Sequence, residues 1–377
     1  MKPVLLFVFV CFTVGTAYSQ ERSFDFYGNT IELKNLPAQD CDSMIKENKV
    51  PARLQLYLNE NIARYNLEDW AIVLFLKTYV EAAFTDVSDA GKVKILSALL
   101  TAQNINNAIG IRSSHRLLSL VSIDRKQVPH GINVFDEQGY KLIYGATNKI
   151  PFKIKNADIV FYKGRDIQLR AVPPKLNVSD YKQIIRSFYN YTTQKIDSLS
   201  FSYSPQYIKY SYAFPMAVSK VLYTKLPISP LFTSSFFTSL TPKLQGCSNK
   251  EDSINFLMRF TQTVIKYEPN EKTYGWGGYP CYPENTLVMA KGDCDDYSML
   301  LAFLLSYYFK DLDVVFLEYD SFNHVRLGIY DKSLDTKNKS FIEYQGKKYL
   351  LAELTGETVL GDMLFIGSKN PPDRIVQ

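Results

Sequence analysis

An α+β fold is predicted for this chain, and three observations predict it. An apolar run, Met299–Leu305, follows directly on the polar turn Lys291-Gly-Asp-Cys-Asp-Asp296. Behind it come the strand-like run Val314–Leu317 and segments with a period of two in Phe322–Tyr330 and Lys348–Thr355. A third block, about 150–245, carries further alternating runs between prolines and Ser/Thr-rich turns. Helix periodicity that gives way to strand periodicity is the pattern of a helix packed on an antiparallel sheet. The expected division is a leader over 1–20, an N-terminal α+β domain over 21–150, a β-rich domain over 151–245 and an α+β domain over 246–377.

The leader begins with Lys2 and the apolar run Val4–Val14, followed by Gly15-Thr-Ala-Tyr-Ser-Gln20. That core is too short to span a bilayer and has the layout of a cleavable signal peptide. Cys11 follows Val10, which is larger than the small residue that usually precedes a lipoprotein cysteine. The expectation is export: secretion, or residence in the periplasm or cell envelope. No stable membrane insertion is expected after cleavage, because no later run is long and apolar enough.

In the N-terminal domain, Asp69–Leu76 and Lys94–Leu100 read as helices, and Leu117–Val121, Ile132–Phe135 and Tyr140–Tyr144 as strands. In the middle block, Ala157–Tyr162, Asp166–Ala171 and Ser200–Tyr203 read as strands, with one helix expected over Ser179–Thr193. Ser248-Asn-Lys-Glu251 has the form of a capping box and opens a helix reaching Tyr267.

The Gly-Asp-Cys turn is the most informative stretch. Asp293 has the chemistry of an N-cap, and Asp296, three residues on, closes the box. Cys294 then becomes the first helical residue, beside unpaired backbone N–H groups and the positive end of the helix dipole, where a thiol is acidified. Asp295 and Asp296 oppose that effect, so a basic partner is required. Only His115, His130 and His324 are available. His324 lies on a strand that reads as half buried, alternating with Val325, Leu327 and Ile329. Glu353 lies within an otherwise apolar strand, which is costly without a partner. Cys294, His324 and Glu353 thus supply nucleophile, base and base-orienting acid, a catalytic triad. Trp276 and Tyr279, in the loop Tyr274-Gly-Trp-Gly-Gly-Tyr-Pro-Cys-Tyr282, are candidates for an oxyanion donor or for lining the cleft.

These residues resemble the transglutaminase-like, papain-related superfamily of cysteine enzymes. The matching segments are Pro283-Glu-Asn-Thr-Leu287, Gly292-Asp-Cys-Asp-Asp296, Asn323-His324-Val325 and Glu353-Leu-Thr355, spanning about residues 245–365. Asn285 stands where the family usually has Glu, Asp295 replaces Glu, and Glu353 replaces the commoner Asp. The overall arrangement looks most like secreted proteins of Bacteroides-type bacteria. The resemblance implies acyl transfer from amide bonds, by a cysteine protease, another hydrolase or a transglutaminase.

The N-terminal domain follows the same order of helix, helix and strands. Overlaying the Leu-Leu pairs puts Asp89 at the place of Cys294, and overlaying Thr147 on Thr355 puts Gly145 at that of Glu353. A degenerate, inactive copy of the same fold is one reading, with His130 as a remnant; an unrelated helical domain is the other.

Composition is that of a globular protein, with 46% apolar and 21% charged residues and unusually many aromatics, 27 Tyr and 24 Phe. A net charge of +5 without a Lys/Arg block gives no reason to expect nucleic acid. Zinc is disfavoured by the absence of Cys-x-x-Cys or clustered histidines, and no cofactor or metal is expected. Cys41, Cys247 and Cys281 are an odd remainder once Cys294 is set aside; a Cys41–Cys247 bridge is compatible with the sequence, and Cys281–Cys294 pairing would inhibit. The expected function is an exported cysteine-dependent enzyme acting on a protein or peptide. The competing class is a non-catalytic envelope scaffold that keeps the fold for binding.

Overall fold

A computed structural model describes residues 22–33, 38–111, 117–122, 140–144, 160–168, 174–177, 179–213, 229–269, 281–362 and 371–376. The leader, His115, His130, Ile132–Phe135, Gly145, Thr147 and the loop bearing Trp276 and Tyr279 lie outside these residues. The architecture is α+β.

The described chain opens with a hairpin of β1 (Ser23–Phe26) and β2 (Asn29–Glu32), then α1 (Ala38–Glu47), α2 (Ala52–Arg64), α3 (Trp70–Ala83) and α4 (Asp89–Ala102). Ser88 caps α4, its hydroxyl accepting from the Gly91 amide at 3.2 Å. Buried residues such as Val73, Phe75 and Leu76 in α3 and Ile95, Leu96 and Leu99 in α4 form the first part of the core. An antiparallel sheet follows: β3 (Asn107–Ile111), β4 (Leu117–Ser122), β5 (Tyr140–Tyr144) and β6 (Val160–Tyr162), in the order β5-β4-β3-β6. The Val160–Tyr162 run, expected to begin a separate β module, therefore completes the first sheet through Ala108 opposite Phe161.

The predicted helix over 179–193 is instead a strand, β7 (Lys182–Asn190), paired along its length with β8 (Lys195–Tyr203). Ile184, Arg186, Phe188 and Asn190 alternate inward, a period-two signal that outweighs local helix propensity. Phe188 packs on Phe256 and Phe260, and Phe201 on Phe232 and Phe236. Beyond β8 the expected β-rich block is largely helical among the described residues: α5 (Pro205–Ala213) and α6 (Pro230–Leu244). Proline and serine open the second of these helices rather than a turn: Ser229 accepts from Phe232 N at 3.2 Å with Pro230 in the first turn.

Next comes α7 (Lys250–Val264). Its N-cap is Asn249 rather than Ser248, with Oδ1 accepting from Asp252 N at 2.9 Å. Asn caps as well as Ser, so the helix starts one residue later than the Ser248 box predicts. The chain continues through β9 (Lys266–Tyr267), α8 (Pro283–Met289), β10 (Lys291–Gly292), parallel to β9, and α9 (Cys294–Tyr308). The second sheet contains β11 (Asp313–Tyr319), β12 (His324–Tyr330), β13 (Phe341–Tyr344), β14 (Lys347–Ala352) and β15 (Arg374–Val376), antiparallel in the order β13-β14-β12-β11-β15.

β12 reads as half buried in the sequence, yet His324 to Ile329 are all buried. Val325, Leu327 and Ile329 join the main core with α9, while Val315, Leu317, Tyr319, Tyr349 and Leu351 form a second apolar cluster. A strand covered on both faces loses its polar side, which explains the departure. Among the described residues no helix is long and apolar enough to cross a membrane.

The two sheets share one topology. After α4, β3, β4 and β5 are successive neighbours and β6 returns antiparallel to β3; after α9, β11, β12 and β14 are successive neighbours and β15 returns antiparallel to β11. The registers align too. Ile111 opposite Leu117 corresponds to Tyr319 opposite His324, and Leu120 opposite Leu142 corresponds to Leu327 opposite Ala352. By this register Leu117 stands at the place of His324, and Asp89, the first residue of α4, corresponds to Cys294, the first residue of α9. The place of Glu353 falls to Ile143 rather than to Gly145.

Candidate active site

Helix α9 starts where the sequence demands. Asp293 is extended, its side chain accepts from Asp295 N at 3.1 Å, and Asp296 Oδ2 accepts from Asp293 N at 3.0 Å. Asp296 is fully buried, and its Oδ1 takes the Cys281 amide at 2.5 Å. One carboxyl group thus ties the helix start to the chain that precedes α8. Burial, reinforced by Asp293, pushes the Asp296 carboxyl well above its ordinary range, although both amide donors oppose the shift. Gly292 is required here for space, because a Cβ would lie 2.6 Å from Asp296 Cβ.

Cys294 is the first residue of α9 and is 8% exposed. Its sulfur lies 3.9 Å from the carbonyl oxygen of Asn323. Asn323 adopts the left-handed conformation (φ 48°), which Asn tolerates, after a 3₁₀ turn over Asp320–Phe322. That turn reverses β11 into β12 and delivers His324 as the first residue of the new strand.

His324 Nε2 meets Glu353 Oε2 at 2.9 Å, with both side chains buried. Glu353 lies one residue beyond the end of β14, not in mid-strand. Leaving the ladder lets Oε1 accept from Leu354 N and Thr355 N, both at 3.0 Å, and from the Thr355 hydroxyl at 2.7 Å. Burial pushes this carboxyl up, but the His324 bond and charge and the Thr355 donors prevail, and it titrates at about 2. The Glu353 carbonyl is held as well, by Gln262 at 3.1 Å and the Thr358 hydroxyl at 2.7 Å. An anionic Glu353 makes Nε2 the protonated nitrogen of a neutral imidazole, so Nδ1 carries the basic lone pair.

The structure therefore pairs His324 with Glu353 and sets the Cys294 sulfur against the residue preceding His324. Trp276 and Tyr279 lie outside the described residues. No disulfide joins Cys41, Cys247, Cys281 or Cys294, so the Cys41–Cys247 bridge is not formed. The Pro-Glu-Asn-Thr-Leu segment forms α8, buried ahead of Cys294. Glu284 accepts the Ser229 amide at 2.9 Å through Oε2, and Asn285 Oδ1 accepts from the Ser211 hydroxyl at 3.0 Å. Burial lifts the Glu284 carboxyl to about 8, against the Ser229 amide.

One residue that sequence reasoning passed over is Tyr267. It lies opposite Gly292 in the β9–β10 bridge and is 49% exposed. Burial of its hydroxyl and then the charges of Cys294, Asp293, Asp295 and Glu353 push its ionisation up. In the sequence it reads only as the end of a helix; its role follows from a parallel pairing with Gly292 that no local pattern encodes. No protein-family model matches this chain, and no curated protein is significantly similar to it.

Proposed function

We propose that the chain is an exported, cysteine-dependent amide-bond enzyme of transglutaminase-like, papain-related type, with Cys294, His324 and Glu353 as its triad. The observation that carries this reading is the buried His324–Glu353 pair at 2.9 Å on the strand whose turn abuts the Cys294 sulfur. His324 Nδ1 takes the thiol proton, and the helix start favours the thiolate. The thiolate adds to the carbonyl carbon, and the imidazolium returns the proton to the leaving amine. Glu353, anionic at neutral pH, holds the ring and stabilises its charged form. The acyl-enzyme passes to water in a peptidase or amidase and to an amine in a transglutaminase; water is the abundant acceptor outside the cell.

Support for a binding role comes from the first sheet, where the same topology carries Asp89, Leu117 and Ile143 at the three triad places. We assign that half a non-catalytic part. The deciding experiment is mass-spectrometric labelling with iodoacetamide near neutral pH, followed by a peptide-library screen. Cys294 should be alkylated faster than Cys41, Cys247 and Cys281. Cys294→Ala should abolish turnover while leaving the Tm within a few degrees. Equal labelling of all four thiols would remove the nucleophile.

A further inference from the structure

We propose that Tyr267 is a catalytic hydrogen-bond donor, its phenol O–H binding the oxyanion formed when the Cys294 thiolate adds to a substrate carbonyl. This rests on the reading of Cys294 as nucleophile. Carbonyl addition creates an alkoxide, and the site needs donors aimed at it. Backbone N–H groups of the α9 start are one source. A side-chain donor beside the helix start is the other, and among the described residues Tyr267, paired with Gly292, stands there.

Its backbone is fixed beside the nucleophile. Lys266 N donates to Ala290 O at 2.9 Å and Glu268 N to Gly292 O at 2.8 Å, which locks Tyr267 opposite Gly292, two residues before Cys294. From α9, the Tyr297 hydroxyl donates to Ile265 O at 2.9 Å, and its ring lies 6.3 Å from that of Tyr267. The strand that carries Tyr267 is therefore tied to the helix that carries Cys294 at two levels.

The side chain is built unlike its neighbours. Tyr282 and Tyr297 are buried, whereas Tyr267 is half exposed. Its ring meets that of Tyr297, while among the described residues its hydroxyl makes no hydrogen bond. The charges of Cys294, Asp293, Asp295 and Glu353 all act on it. With its backbone paired to Gly292, two residues before Cys294, the Tyr267 side chain stands beside the start of α9. The same surroundings keep it protonated, as a donor must be.

The test compares two reactions of Cys294 in the full chain and in Tyr267→Phe, with Cys294→Ala as the blank. Acylation by p-nitrophenyl acetate forms the S–C bond, pushes the carbonyl electrons onto oxygen and then expels p-nitrophenolate. Alkylation by iodoacetamide displaces iodide at a saturated carbon and develops no oxyanion. Loss of the phenol should slow acylation about a hundredfold, the lower side of the loss of an oxyanion donor, and leave alkylation within about twofold. If acylation is unchanged, Tyr267 is only a cleft wall and the proposal falls. If both reactions slow together, Tyr267 acts on the thiol rather than on the oxyanion, and the proposal falls equally. A wild-type Cys294 no more reactive than Cys41 or Cys247 would instead overturn the nucleophile itself, and Tyr267 with it.

Discussion

Glu353 divides its two oxygens between different tasks: Oε2 meets His324 Nε2 at 2.9 Å, while Oε1 gathers Leu354 N, Thr355 N and the Thr355 hydroxyl. The carboxylate is locked by its own downstream backbone before it touches the histidine. An acid held this way cannot rotate to follow the ring, so it dictates the imidazole orientation. His324 is in turn fixed by the left-handed Asn323 turn, and the pair presents Nδ1 in a single direction.

The acid response of the fold follows from that arrangement. Glu353 titrates at about 2 when folded against an ordinary value of 4.5. A lowered carboxyl contributes stability that is complete above 4.5 and lost as pH falls towards 2. Glu353→Gln should lack this component, so its Tm difference from wild type should shrink between those limits. In the proposed triad the same variant should lower turnover by about 10⁴-fold through the wrong imidazole tautomer. A constant Tm gap down to acid pH would show that the carboxylate is not held as described.

Much of the site was legible because its signals are local. Asp293 and Asp296 form a capping box within four residues, and its register fixes Cys294 as the first helical residue. His324 and Glu353 were recognisable as polar residues in alternating apolar runs. What escaped was decided by tertiary contact. β7 looks helical until β8 lies beside it, β12 looks half buried until the second apolar cluster covers it, and Glu353 looks mid-strand until its side chain turns back to Thr355. Tyr267 has no local signal at all, since its place depends on the β9–β10 bridge. The pairing of β6 with β3 likewise joins segments about fifty residues apart.

Gly292 is expected to be irreplaceable at modest cost to the fold. A Cβ there would meet Asp296 Oδ2 at 2.7 Å and Cβ at 2.6 Å, displacing the carboxyl that holds both Asp293 N and Cys281 N. Gly292→Ala should destabilise by about 1–3 kcal/mol through overpacking. It should also slow Cys294 alkylation more than Gly346→Ala, where a Cβ meets nothing within 4 Å and the cost is only the left-handed φ of 73°. Wild-type labelling rates in Gly292→Ala would mean that Asp296 does not position the helix tip.

Glu284 gives a pH dependence of opposite sign. Its folded carboxyl titrates at about 8 against an ordinary 4.5, so the neutral form is favoured in the fold. Its contribution is complete below 4.5 and is lost as pH rises through about 8. Glu284→Gln keeps an acceptor for the Ser229 amide and cannot ionise. It should therefore gain stability relative to wild type from about pH 5 to about pH 8, by a few kcal/mol, and the gain should level off above that. Chemical denaturation across pH measures this, and a flat difference would show that Glu284 is ionised in the native state.

The shared topology of the two sheets separates what a helix tip does from what a histidine does. Asp89 begins α4 as Cys294 begins α9, and Ser88 caps it as Asp293 caps the other. The first half has Leu117 and Ile143 where the second has His324 and Glu353. Asp89→Cys in a Cys294→Ala background thus sets a thiol on a capped helix without a base. Helix termini contribute about 0.3–1 kcal/mol to a nearby charge, so the new thiol should react at most about fivefold faster than Cys41. Native Cys294 should exceed that margin, because in the proposed triad His324 accepts its proton. If the introduced thiol proved as reactive as native Cys294, activation would belong to the helix tip, and His324 and Glu353 would have no part in forming the thiolate.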